Sequence, residues 1–280
     1  MSGEQHTSWS EVDTSRQCLK KHHLVYRESW EPKITPPALI KGNAWHALLE
    51  ELYVTKRAEA PYEKLISMLL SGEIEDDVGD LMKWMIDGYY QAYGHGDPDW
   101  TEATILVEHE INFELPDVGY GPLKLKGFID LVVILFGKLW IVDHKSGKNK
   151  PSDGELALID QWPVYIAALQ EEGYDVFGSI HSYAKTDRLK RDQPMAERFL
   201  RTPIQRTPLE VKTALSELTV QAWIAKLGVE GNPMSPGEYC RWRCSFQDSC
   251  IAYRKWGADM ETQVLKSKHI QTERRANEYK

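Results

Sequence analysis

Residues 123–145, LKLKGFIDLVVILFGKLWIVDHK, constrain this chain more than any other stretch. Two apolar runs, 123–135 and 138–145, flank Phe136-Gly137 and read as the strands of a tight hairpin. A two-residue turn fixes the register, because each residue before it then has one partner after it. Asp130 and Asp143 stand six residues on either side of that turn, so they become direct cross-strand partners. Their Cβ atoms should lie about 5 Å apart. The strand period of two puts Lys145 on the same face as Asp143. Charged groups are seldom buried unless they are paired or hold a cation. Two carboxylates with an ammonium beside them make a hard-cation site with a cationic neighbour. The same three residues could instead form an ion pair on a surface hairpin, but the length and apolar character of both strands argue for the site.

Length and composition set the frame. With 280 residues, the chain has ample material for a core. Its 42% hydrophobic and 27% charged residues are those of an ordinary globular protein. No apolar run approaches the roughly 20 residues of a membrane span. The opening MSGEQHTSWSEVD lacks the basic and apolar regions of a secretory signal, which leads us to expect a cytoplasmic protein. The net charge of −8 does not suggest a nucleic-acid binder, yet residues 185–206 and 241–255 are rich in Lys and Arg. A local basic surface can serve a polyanion even in an acidic chain.

Taken in order, residues 7–27 predict a helix capped by Ser8 or Ser10, with Cys18 inside it. A proline-rich loop follows. Residues 41–56 predict a helix with Trp45, Leu48, Leu49, Leu52 and Tyr53 as its core face and His46 at its flank. Residues 61–94 predict one or two more helices, broken by Gly94 to Pro98. Residues 104–114 start a sheet. Glu108 and Glu110 there could join the acidic site, although strand carboxylates more often face solvent. Three antiparallel strands are thus expected in succession. A helix from Asp160 to about Gly173 places Gln161 and Tyr165 one turn apart. Residues 177–183 predict a strand in parallel pairing after this crossover. Residues 207–228 predict a further helix, and a charged tail begins near residue 261.

The four cysteines are Cys18, Cys240, Cys244 and Cys250, the last three within eleven residues. In a reducing compartment this spacing favours a metal or cluster site over disulfides. Their Lys and Arg neighbours should favour thiolates.

These residues carry a resemblance. The chain resembles the PD-(D/E)xK nuclease superfamily, in its RecB-like and Cas4-like exonuclease branch. The matching features are Gly42-x3-His46, Gly127-x-Ile129-Asp130, Asp143-His144-Lys145 and Gln161-x3-Tyr165, with Ser8-x-Ser10, Cys18 and the closing cysteines matching the iron-sulfur members. Order and spacing cover roughly residues 8–250. The resemblance implies a single α/β domain over residues 1–260, with a restriction-endonuclease-like mixed sheet flanked by helices. It implies that His46, Asp130, Asp143 and the His144 main-chain carbonyl hold Mg²⁺ or Mn²⁺. Lys145 would position the attacking water, and Gln161 and Tyr165 would orient the DNA strand. Cys18, Cys240, Cys244 and Cys250 would hold a [4Fe-4S] cluster that clasps the two ends of the chain. The Cys240-x3-Cys244 gap departs from the expected x2, and zinc is the alternative. The implied function is a metal-dependent DNA exonuclease acting on single-stranded or duplex ends. Its partners would be a second copy or proteins of recombination or CRISPR processing, with no membrane. A catalytically inactive end-binding subunit and an RNA-directed metallohydrolase are the rival readings.

Overall fold

The computed structural model describes residues 5–187, 195–228, 233–242 and 244–272. In chain order the strands are β1 (His6–Ser8), β2 (Trp30–Pro32), β3 (Thr104–Glu114), β4 (Lys124–Leu135), β5 (Lys138–Gly147), β6 (Val176–Lys185), β7 (Phe199–Gln205) and β8 (His269–Gln271). The helices used below are α1 (Trp9–Gln17), α2 (Leu19–His22), α3 (Pro37–Thr55), α4 (Ala60–Leu70), α5 (Asp76–Tyr93), α6 (Pro98–Ala103), α7 (Asp153–Ala157), α8 (Gln161–Glu171), α9 (Pro208–Leu227), α10 (Glu238–Trp242), α11 (Gln247–Trp256) and α12 (Ala258–Lys268). Among the described residues, no helix is long and apolar enough to cross a membrane.

The fold is α/β, with a central mixed sheet flanked by helices. The sheet order is β1-β4-β5-β6-β7, and β3 also pairs with β4. The β4–β5 and β6–β7 pairs are antiparallel, while β5–β6 and β1–β4 are parallel. The parallel β5–β6 pair is the one expected from the α8 crossover. Strand β7 was not expected: FLRTPIQ carries Pro203, which a sheet tolerates on an edge strand, and β7 closes the sheet at that edge. The segment 7–27 is not one helix. It begins as a short strand, and the helical run breaks at Cys18, whose backbone is extended (φ −168°, ψ 118°). The stretch from residue 261, expected to be a loose tail, is helical to Lys268 and then pairs through β8 with β2. The rest of that tail, and residues 188–194 of the basic stretch, lie outside the described residues.

The chain divides into two compact units. One comprises residues 36–111 and 128–212. Its core packs Trp45, Leu48, Leu49, Leu52 and Tyr53 of α3 with Leu81, Met82, Met85 and Tyr89 of α5 and with Leu131, Val133, Val142 and Ile180 of the sheet. The α3 residues are those the helical period assigned to its core face. In this core lies a buried ion pair. Asp97 is fully buried, and its Oδ2 accepts from the Arg201 guanidinium and from the hydroxyls of Tyr53 (2.7 Å) and Tyr89 (3.0 Å). Arg201 is held between the rings of Trp100 and Tyr93, 3.4 and 3.6 Å from their centroids. Removing one partner of such a pair leaves the other charge buried and uncompensated. Asp97→Ala should therefore cost about 3–5 kcal/mol in equilibrium urea unfolding. A loss below about 1 kcal/mol, the range of an exposed pair, would contradict that reading.

The other unit comprises residues 1–35, 112–127 and 213–280. Its interior contains Glu11, whose carboxylate meets His22 (3.2 Å), Lys226 (3.0 Å) and the Thr7 hydroxyl (3.0 Å). Burial opposes ionisation of Glu11, but His22 and Lys226 prevail and hold its pKa below the usual carboxylate range. Leu24, Trp30, Phe246 and Leu265 form a small apolar cluster there.

Candidate metal and nucleolytic site

The hairpin register is the expected one. Pairing runs from Leu131↔Val142 to Leu135↔Lys138. Phe136 and Gly137 close it with φ of 51° and 71°. Both are left-handed, which suits the twist of a two-residue hairpin. One step further along this register stand Asp130 and Asp143. Regular pairing yields there to a side-chain contact, the His144 N–H donating to Asp130 Oδ2 at 2.7 Å. Asp143 is buried; its Oδ1 accepts from Lys145 Nζ at 2.6 Å, and its Oδ2 has no hydrogen-bond partner.

Two further groups complete the cluster. His46 projects from α3, with Nδ1 3.5 Å from Asp130 Oδ2. Glu108 comes from β3. Ligand atoms of His46, Glu108 and Asp130 all lie within 4.8 Å of one another. Asp143 is not in this triplet; its Oδ1 is bonded to Lys145. Glu108 has φ 43°, a left-handed conformation uncommon for a non-glycine residue. Backbone strain of this kind persists where surroundings enforce it, and it gathers at functional sites. Of the two β3 carboxylates that could join the acidic site, it is Glu108 that meets His46 and Asp130, on an irregular backbone that a period-two reading does not foresee.

The electrostatics mark the cluster as short of positive charge. Burial, and then the charges of Asp130 and Glu50, push Glu108 up to about 7. Burial and the neighbouring Asp143 raise Asp130, against the opposing effects of His46, Lys145 and the His144 N–H. Burial works to lower Lys145, but Asp143 and Asp130 keep it above its ordinary value, so it stays an ammonium. The His144 imidazole is kept neutral by burial and by the charges of His46, Arg201 and Lys145. Tyr165 and Gln161, at the start of α8, are hydrogen-bonded to each other, and burial pushes the Tyr165 phenol up to about 12. That phenol also feels Asp143, Lys145 and Asp130. A divalent cation fits this donor set: clustered oxygens with one imidazole, carboxylates resisting ionisation for want of a counter-charge, and an unpartnered Asp143 oxygen.

The cysteines meet in the other unit. Cys18, Cys240, Cys244 and Cys250 all line one cavity of about 190 Å³, with Lys21 and Arg254 also in its wall. Among the described residues, no three of the sulfurs lie within 4.8 Å of one another. A tetrahedral zinc at about 2.3 Å from each sulfur would need them roughly 4 Å apart. At Cys244 and Cys250 the basic neighbours do not favour the thiolate, contrary to expectation. Burial raises Cys244 and pushes Cys250 up to about 11, overriding Lys21 and Lys20. Any metal taken up there must displace thiol protons.

The family model of the PD-(D/E)XK nuclease superfamily matches residues 6–251. The chain belongs to the PD-(D/E)XK nuclease superfamily. That match spans both units and includes the acidic hairpin and all four cysteines. No curated protein matches the chain. A solved structure described as a proposed exonuclease from Eubacterium rectale is similar in fold. Its TM-score is 0.51 at 14% identity, over 86% of this chain and 88% of that one. SSO0001 aligns more loosely, with a TM-score of 0.34 at 18% identity over 72% of this chain and 85% of that one, too loosely to bear on the fold.

Proposed function

We propose that the protein is a Mg²⁺- or Mn²⁺-dependent deoxyribonuclease, an exonuclease working on DNA ends in the cytoplasm. The observation that carries this reading is the meeting of His46, Glu108 and Asp130 beside the Asp143–Lys145 pair, in a chain of the nuclease superfamily. His46, Asp130, Asp143 and the His144 carbonyl would hold the metal, and Glu108 joins them. A divalent cation bound there would lower the pKa of a water molecule and screen the phosphate.

The chain's own groups do the rest. Lys145 is held as an ammonium, so it is a poor base. It orients the attacking water and neutralises charge building on the phosphate. Asp143, bonded to Lys145, fixes that ammonium in place. Gln161 and Tyr165 orient the DNA strand at the mouth of α8. The shared cavity of the four cysteines supports a [4Fe-4S] cluster held by four thiolates, with zinc as the alternative. Such a cluster would clasp Cys18 to the C-terminal segment. A second copy, or proteins of recombination or CRISPR processing, would be its partners.

Lys145 supplies the direct test. Lys145→Ala should lower turnover by roughly 10²–10³-fold, the usual loss for one charge-stabilising donor. It should leave Mn²⁺ affinity near wild type, since an ammonium is not a ligand. Calorimetric titration beside cleavage of labelled DNA reads both. Unchanged turnover would remove Lys145 from the mechanism.

A further inference from the structure

We propose that Asp97 and Arg201 are positioning residues for the acidic site, acting through Tyr53 and His144. The inference rests on the metal-site reading above. The links are continuous within one unit. Arg201 and the Tyr53 hydroxyl both bond Asp97 Oδ2. The Tyr53 ring stacks on the His144 ring, centroids 5.8 Å apart and planes 9° from parallel. Trp100, which covers Arg201, lies 6.4 Å from the same imidazole, and the His46 ring meets it edge-on at 6.3 Å. The His144 backbone N–H then holds Asp130.

Two features turn this from a packed core into a positioning device. First, both His144 ring nitrogens are buried without hydrogen-bond partners. The β4 and β6 ladders place the His144 backbone, and the imidazole, with no hydrogen bond of its own, is placed by ring contacts, among them the stack against Tyr53. Second, Tyr53 lies seven residues after His46 on α3. Two helical turns put them on one face. Fixing the Tyr53 hydroxyl thus fixes the rotation of α3 that aims His46 at Asp130. One anchor sets both a proposed ligand on α3 and the peptide that orients another on β4. Asp97 itself has φ 49°, a left-handed conformation for a non-glycine residue. Its strained backbone is held by the same contacts.

A merely structural role predicts lost stability with an unchanged metal site. A positioning role predicts weaker metal binding in protein that is still folded. The experiment is calorimetric titration of Mn²⁺ into wild type, Tyr53→Phe, His144→Ala and His144→Phe, each at a temperature where circular dichroism shows it folded. Tyr53→Phe removes only the hydroxyl link and should weaken Mn²⁺ about 10-fold, the lower end for an outer-shell change. His144→Ala should lose as much or more, and His144→Phe, which keeps a ring for the stack, should recover most of that loss. On labelled DNA, kcat should fall in Tyr53→Phe with KM little changed. Tyr53→Phe binding Mn²⁺ within twofold of wild type, or His144→Phe no better than His144→Ala, would overturn the inference alone. No Mn²⁺ binding by wild type would overturn the metal-site reading and this inference with it.

Discussion

Asp130→Asn is expected to lower DNA cleavage by about 10³-fold or more, a loss of roughly 4 kcal/mol in transition-state stabilisation. The choice of Asn isolates charge from architecture. Asp130 does two things: it accepts the His144 N–H at 2.7 Å, and it offers oxygen within reach of His46 and Glu108. The amide oxygen of Asn keeps the first role, so the β4–β5 register should survive. It gives up the negative charge, and with it much of the attraction for a cation among groups that already lack a counter-charge. Circular dichroism should match wild type while Mn²⁺ titration shows a much weakened site. Near-wild-type cleavage by a folded Asp130→Asn protein would remove this carboxylate from the chemistry.

The second large effect concerns the cysteines. Cys18 and Cys240 are more than 220 residues apart in sequence yet line one cavity. A cross-link over so long a loop restricts the unfolded chain by about 5 kcal/mol, since closure entropy grows only with the logarithm of loop length. Protein purified without oxygen should be brown, contain about four irons per chain, and unfold at lower denaturant once the iron is removed. Cys18→Ser should bleach the colour and make both ends of the chain sensitive to protease. Its effect on Mn²⁺ binding should be small, because the acidic cluster belongs to the other compact unit. Metal analysis decides the matter. One zinc without iron would overturn the cluster and spare the clasp; neither metal would overturn both.

How much of this could be read beforehand depended on range. The hairpin was legible because a two-residue turn and the strand period leave only one register, so Asp130 and Asp143 could be paired by position. The core face of α3 was legible from its 3.6-residue period. Strand β7 was not, since an edge strand half open to solvent has no clean alternation and Pro203 argues against a strand. The break at Cys18 was hidden because neither Gly nor Pro marks it. Glu108 could be named only as one of two possible members of the acidic site, because period two assumes a regular backbone and its φ of 43° breaks that assumption. The Asp97–Arg201 pair joins residues 104 apart, and nothing local announces it. For the cysteines, spacing joined only the last three, the resemblance added Cys18, the fold lines one cavity with all four, and only burial reveals that Cys244 and Cys250 resist ionisation.

The His46–Glu108–Asp130 cluster is proposed to make this chain a cation-dependent nuclease acting on DNA. Its most direct test is incubation of purified protein with end-labelled DNA and, in parallel, labelled RNA, with Mg²⁺, Mn²⁺ or EDTA. The expected result is loss of DNA from its ends with either metal, no loss in EDTA, and little effect on RNA. Cleavage that persists undiminished in EDTA, or that spares DNA while consuming RNA, would contradict it.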